Sequence, residues 1–243
     1  MNAVITITRR ELASYFATPL AYVFIVIFLM LSGALTFLLG QWYERGQADL
    51  VPFFSFHPWL YMLLGAAIAM RLWAEERRSG TLELLLTMPV TLLQAVLGKF
   101  IAAWLVIGAA LLLTAPMWLT VSYLGSPDHG VILAGYLGSW LMAAAFLAMG
   151  ACVSAATGNQ VVAFIGSAAA GFAFVIIGYP PVVAFLHGPL GAGADVLASL
   201  SFLTHFASIA KGVIVAADVG FFVVMTIGWL VAAAVVIHLK KAG

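Results

Sequence analysis

Six apolar runs, each about 20 residues long, decide what this chain can fold into. A hydrocarbon layer about 30 Å thick is crossed by a helix of that length. The runs extend from about Leu20 to Leu39, Phe54 to Trp73, Phe100 to Val121, Gly135 to Ala156, Val161 to Phe185 and Gly220 to His238. Only 8% of the 243 residues are charged and 65% are hydrophobic. Soluble domains carry about 25% charged residues, so this chain has too few to clothe a water-facing surface. The expected fold is all-α and integral to a membrane, a single transmembrane domain over 1–243. The net charge of +1 gives no reason to expect a nucleic-acid partner. The one cysteine, Cys152, sits in an apolar run, which excludes a disulfide framework and a cysteine-based zinc site.

Lysine and arginine set the orientation of such a chain. With the N-terminus inside, the inner side holds Arg9, Arg10, Arg71, Arg77, Arg78, Lys99, Lys240 and Lys241; the outer side holds Arg45 and Lys211. Both termini are then cytoplasmic, as an even number of spans requires. A cleaved leader is rejected because the first apolar run exceeds the about 7–15 residues of a signal peptide and further spans follow it. Ahead of the first span, Ile5, Leu12, Tyr15 and Phe16 fall near one helical face, with Arg9, Arg10 and Glu11 largely elsewhere. Residues 1–18 are therefore expected to form an amphipathic helix in the inner interface, ended by Pro19.

The apolar runs exclude several functions. No Asp, Glu, Lys or Arg occupies the middle third of any of them, where ion-coupled transporters and pumps place ionisable groups. The five histidines, His57, His129, His187, His205 and His238, lie near span ends or in loops at spacings that indicate no metal site. Glu75-Glu76 followed by arginines is similar to the EExxxR motif of one membrane protease family, but Gly80 stands where arginine is required. Gly98-Lys99 is followed by Phe100, and Leu93 occupies the first glycine of a P-loop, so the nucleotide signature is broken twice. No catalytic residue, metal or cofactor is expected in this chain; ATP and Mg would sit on a partner.

Charge is concentrated between Arg71 and Lys99. A turn between two spans needs only a few residues, so this insert has room for structure of its own. The second span is expected to continue as a helix to Arg78, carrying Glu75, Glu76, Arg77 and Arg78 into the cytoplasm, until Ser79-Gly80 interrupts it. Thr81 then caps a short helix, with Glu83 favoured in its first turn and Leu82, Leu85 and Leu86 on one face; Pro89 ends it. A helix of about two turns is marginal alone, so it docks on something: the bilayer surface, or a cleft in a soluble ATPase. Residues 74–90 are the expected coupling segment.

EERRSGTLELLLTMPVT resembles the segment after the second span in ABC type-2 permeases, in particular the gliding-motility-type and copper-processing-type membrane subunits. RRELASYFATPLAYVF is similar to that family's N-terminal entry. The turn after the fourth span, with Gly150, Ser154, Thr157, Asn159 and Gln160, resembles its G-x-x-x-S…T-x-N-Q pattern. LTHFASIAKGVIVAADV resembles its outer segment. The chain departs from the pattern at Gly158, where a basic residue is usual, at Lys211, where Arg is usual, and at Val215, where an acid is usual.

The resemblance implies two membrane subunits, this chain paired with itself or a homologue, and two ABC ATPase subunits. Each insert would be a coupling helix, with Glu75, Glu76, Arg77, Arg78, Gly80, Thr81, Glu83 and Leu85 at the ATPase. Thr157, Asn159 and Gln160 would form a cytoplasmic turn, and His205, Phe206, Lys211 and Asp218 would belong to the outer segment over 186–218. That segment has Phe202, Phe206, Ile209 and Val213 at helical spacing, as a substrate gate or as a lid over the spans. Gly150 and Ser154 allow close helix approach, within one subunit or between two. The implied role is an ATP-driven exporter permease in a bacterial inner membrane. A mechanotransmitter acting on an envelope protein, and a membrane anchor without an ATPase, remain alternatives.

Overall fold

The computed structural model describes residues 3–81 and 90–240, and among them every regular element is helical. In chain order these are α1 (Ala3–Ala17), α2 (Leu20–Ala34), α3 (Val51–Ser55), α4 (His57–Ala69), α5 (Ala74–Ser79), α6 (Leu92–Leu112), α7 (Ala115–Leu124), α8 (His129–Ala156), α9 (Gln160–Ile176), α10 (Pro180–Leu190), α11 (Gly193–Ala198), α12 (Phe202–Ala210) and α13 (Ala216–Leu239). A π-helical turn, Leu35–Leu39, extends α2.

The centre of the bundle is α8. It packs against α13, α4, α9, α12 and α6, and nearly all of its residues from Met142 to Ala155 are buried. The run MAAAFLAMGACVSAA explains this position, because small side chains let neighbouring backbones approach without a penalty of unfilled space. By contrast, α2 and α13 are peripheral. Val23, Val26, Met30, Val224, Ile227 and Val231 all point outward from them. A continuous apolar exterior of this kind needs an apolar surrounding, and with several helices long and apolar enough to span a bilayer the chain is a multi-pass membrane protein.

Four helical stretches are long and apolar enough to cross a membrane: Leu20–Leu39, Leu92–Leu124, His129–Ala156 and Ala216–Leu239. The bent pair Gln160–Ile176 and Pro180–Gly188, which meet at 72°, makes a fifth when counted as one span. The first and sixth apolar runs thus appear as single helical stretches close to their expected bounds, and the fourth, also single, begins earlier than Gly135, at His129, where Asp128 caps it. The third begins earlier, at Leu92, because Thr91 and Gln94 form a reciprocal capping box, and it breaks after Leu112 ahead of Pro116. The fifth breaks at Pro180-Pro181.

The second run differs most from expectation. It is divided at Phe56 into α3 and α4, with Pro52 and Pro58 each in a first helical turn. Nor does its helix continue smoothly to Arg78. It stops at Ala69, turns through residues 70–73, and resumes as α5. Ser79-Gly80 does interrupt the helix as expected: Gly80 adopts φ 72°, a left-handed geometry that glycine takes without a Cβ clash.

Charged groups segregate to the two ends. One end gathers α1, α5, the start of α6 and the ends of α8 and α13. The other gathers residues 42–50, the α7–α8 link and the segment from α10 to the start of α13. His57, expected near a span end, is there, but it is fully buried, with Nδ1 donating to the Phe53 carbonyl at 2.9 Å among Phe28, Phe54 and Tyr61.

Candidate functional site

The expected coupling residues Glu83 and Leu85, and the short helix built on them, lie outside the described residues. Their two flanks do not: α5 ends just before them and α6 begins just after. What anchors those flanks is therefore the site within reach.

Its central residue is Lys99, in the second turn of α6 and only 5% exposed. The ammonium lies 2.8 Å from Glu76 Oε1 on α5 and 3.3 Å from Glu11 Oε2 on α1. It also sits over the Trp73 ring at 5.5 Å. One cation thus joins three helices: the N-terminal helix and both flanks of the insert. A buried charge needs such compensation, and the two carboxylates with the indole face supply it. The second oxygen of Glu76 is buried without a hydrogen-bond partner among the described residues.

A second pair runs along the same end. Arg71 grips Glu75 with two bonds, Nε to Oε2 at 2.7 Å and an Nη2 bond to Oε1 at 3.2 Å. This bidentate bond holds the Glu75 carboxyl below its ordinary range. Burial pushes the Tyr15 phenol above its ordinary range, and Glu11 adds to the shift. Arg10, Glu11, Tyr15, Arg71, Glu75 and Lys99 line a cleft of about 380 Å³ between these helices.

The turn at residues 70–73 is held by a hydroxyl from the central helix. Ser154 Oγ accepts from the backbone N–H groups of Trp73 at 3.2 Å and Ala74 at 3.1 Å. It donates to the Met70 carbonyl at 3.1 Å. It therefore satisfies the end of α4 and the start of α5 together, groups that a broken helix otherwise leaves unpaired. One turn earlier, a Cβ on Gly150 would stand 2.5 Å from the Ala69 Cβ. The small pair seen in the sequence thus seats α4 against α8 within one subunit.

The remaining expected residues fall as follows. Arg77 is half-buried and Arg78 exposed. Thr81 Oγ1 is 2.9 Å from Ser79 Oγ, closing the end of α5. Asn159 caps α9 through Oδ1, accepting from Val161 N at 2.9 Å; Thr157 Oγ1 accepts from Asn159 N, and Gln160 opens α9. Lys240 donates to the Ala156 carbonyl beside that turn. At the opposite end, Phe206 is buried with Phe202 and Ile209 on the inner face of α12, while Val213, expected on the same face, is exposed beyond the helix. His205 pairs with Asp218 at 2.6 Å, and Lys211 caps the C-terminus of α12.

Lys99 and Glu11 were absent from the expected site. Lys99 reads as a boundary charge of the third span, because only the capping box at Thr91, a T-x-x-Q pattern, places it inside a helix. Glu11 reads as the polar face of an interfacial helix.

A family model described as "ABC-2 family transporter protein" matches residues 42–236 of this chain. No curated protein sequence matches it.

Proposed function

The chain belongs to the ABC-2 transporter family, whose membrane subunits work with an ABC ATPase, and we propose that it is an exporter permease of the gliding-motility or copper-processing type. In this reading the chain crosses a bacterial inner membrane six times, with the α3–α4 pair and the bent α9–α10 pair each counted as a crossing. Both termini and the Lys99 end face the cytoplasm, and α1 lies in the inner interface. Two such subunits, identical or homologous, form the membrane dimer. ATP and Mg bind to the partner ATPase, and this chain makes and breaks no bonds.

Residues 74–90 receive the force. When the ATPase dimer closes on ATP, it displaces the insert, and the rigid helices carry that displacement as a body. The observation that carries the reading is the Lys99 junction. It ties the helix before the insert to the helix after it and to α1, so that a push on the insert reaches three helices at once. Arg71–Glu75 and Ser154 stiffen the same corner.

The test is recruitment of the ATPase. If the short helix expected after Thr81 forms, Glu83→Lys places a positive charge in its first turn, which costs about 0.3–1 kcal/mol through the dipole. It also removes any salt bridge to the partner, and breaking a buried one costs about 3–5 kcal/mol. Leu85→Asp puts a charge on the leucine face that this reading seats against the ATPase. Both variants are expected to insert normally and to lose the ATPase on co-purification. Undiminished recovery with normal ATP turnover would defeat the coupling reading.

A further inference from the structure

At the end of the molecule opposite Lys99, one histidine has oxygen acceptors on both ring nitrogens. His205 Nδ1 stands 2.6 Å from Asp218 Oδ1, in the first turn of α13. Its Nε2 stands 2.8 Å from the carbonyl oxygen of Ser199, in the link between α11 and α12. A carboxylate and a carbonyl can only accept. A neutral imidazole has one N–H, so it would satisfy one partner and turn a lone pair toward the other. Only the imidazolium donates to both. The ring also stacks on Phe221, with centroids 3.9 Å apart and planes at 21°, which presents a π face to a cation. The His205 and Asp218 side chains are 16% and 13% exposed, so this is a sheltered pair rather than a solvated one.

The geometry points to His205 as a proton-dependent latch. In its imidazolium form it ties the α11–α12 link to the start of α13; on losing the proton it releases one of the two. The inference is independent of the transport reading, since it uses only the local bonds. Several attachments of α12 involve no titratable group. Ser201 Oγ donates to the Val175 carbonyl at 3.3 Å, Thr204 Oγ1 donates to the Ala198 carbonyl at 2.9 Å, and Phe202, Phe206 and Ile209 are buried. Loss of the proton therefore loosens the link and the start of α13 without detaching α12.

Among the described residues at this end, Arg45 is paired with Asp49 at 3.5 Å. Asp195 is paired with His187 at 3.0 Å, on α11 and α10. Lys211 lies at the C-terminal end of α12. Asp128, at the start of α8, lines a cleft beside Ala210. No charged or titratable residue occurs in α9. Among the described residues, Asp218 is the ion-pair partner of His205.

Two measurements on the full chain in lipid bilayers test the latch. The first is the ring ¹⁵N spectrum, with the His205 signals assigned by their loss in His205→Gln. The second is hydrogen exchange of residues 199–218 across a pH series, corrected for intrinsic rates and referenced to peptides from α8. At low pH both ring nitrogens should carry protons and the segment should be protected. As pH rises and one proton leaves, exchange in 199–218 should accelerate about tenfold or more, the scale of one lost charge-assisted hydrogen bond. Asp218→Asn should exchange fast at every pH, and His205→Gln should lose the pH dependence. A neutral ring in a segment that stays protected, protection that does not follow the ring's titration, or a wild-type pH profile in His205→Gln would each overturn the latch.

Discussion

Ser154 shows how much one hydroxyl does when a helix is broken. It serves two buried N–H donors, of Trp73 and Ala74, and the partly buried Met70 carbonyl. Ser154→Ala keeps the volume nearly unchanged and leaves those groups unpaired. A buried unsatisfied group costs about 1–3 kcal/mol, so a loss of at least that size is expected in thermal unfolding of the detergent-solubilised chain. Glu75 makes a pH-dependent contribution at the same end. Arg71 lowers its carboxyl pKa in the folded protein. The stabilisation is therefore present above the ordinary carboxylate value and disappears as pH falls through the lowered one. Glu75→Gln should be less stable than the wild type near neutrality and indistinguishable from it once the wild-type carboxyl is protonated. Glu75 is partly exposed, so the difference should be modest; melting curves across an acidic series check it.

Among the elements, three helices depend on Lys99. Lys99→Met would leave Glu11 and Glu76 without their shared cation, and breaking a buried pair from one side costs about 3–5 kcal/mol. Replacing both carboxylates as well, with Glu11→Gln and Glu76→Gln, should recover much of that loss, because no unpaired charge remains. Thermal stability of the single and triple variants separates compensation from packing: equal destabilisation in both would mean that the carbon stem matters and the charge does not. The α4–α8 contact has a comparable internal control. Gly150→Ala drives a methyl into Ala69, and overpacking costs about 1–3 kcal/mol. Adding Ala69→Gly removes the opposing methyl and should return the melting temperature toward the wild-type value.

For the whole molecule the decisive quantity is the sidedness of its two charged ends. The Lys99 end carries Arg10, Arg71, Arg77 and Arg78, while Arg45 and Lys211 stand at the other. Single cysteines at positions 49, 128 and 195, in a chain with Cys152 replaced, should react with an impermeant thiol reagent in intact cells. A cysteine at position 83 should react only after permeabilisation. Reaction at 83 but not at 128 would invert the topology and place the ATPase contact on the wrong side.

Length and composition alone made the chain helical and membrane-embedded, because an apolar run that cannot face water must pair its backbone internally. The Ser79-Gly80 stop and the helical face of Phe202, Phe206 and Ile209 were also legible, since each rests on a local preference of a few neighbouring residues; the turn at Asn159 was expected only through the family resemblance. Tertiary structure decided the rest. The second run reads as one continuous span, but its break at 70–73 is stabilised by Ser154, distant in sequence. Lys99 has no local partner, and its meaning comes from Glu11 and Glu76 on other helices. Likewise His205 becomes doubly engaged only when α13 folds back beside it. Periodicity reports which face of a helix is apolar; it carries no information about which distant helix supplies the compensating charge, because that is set by packing.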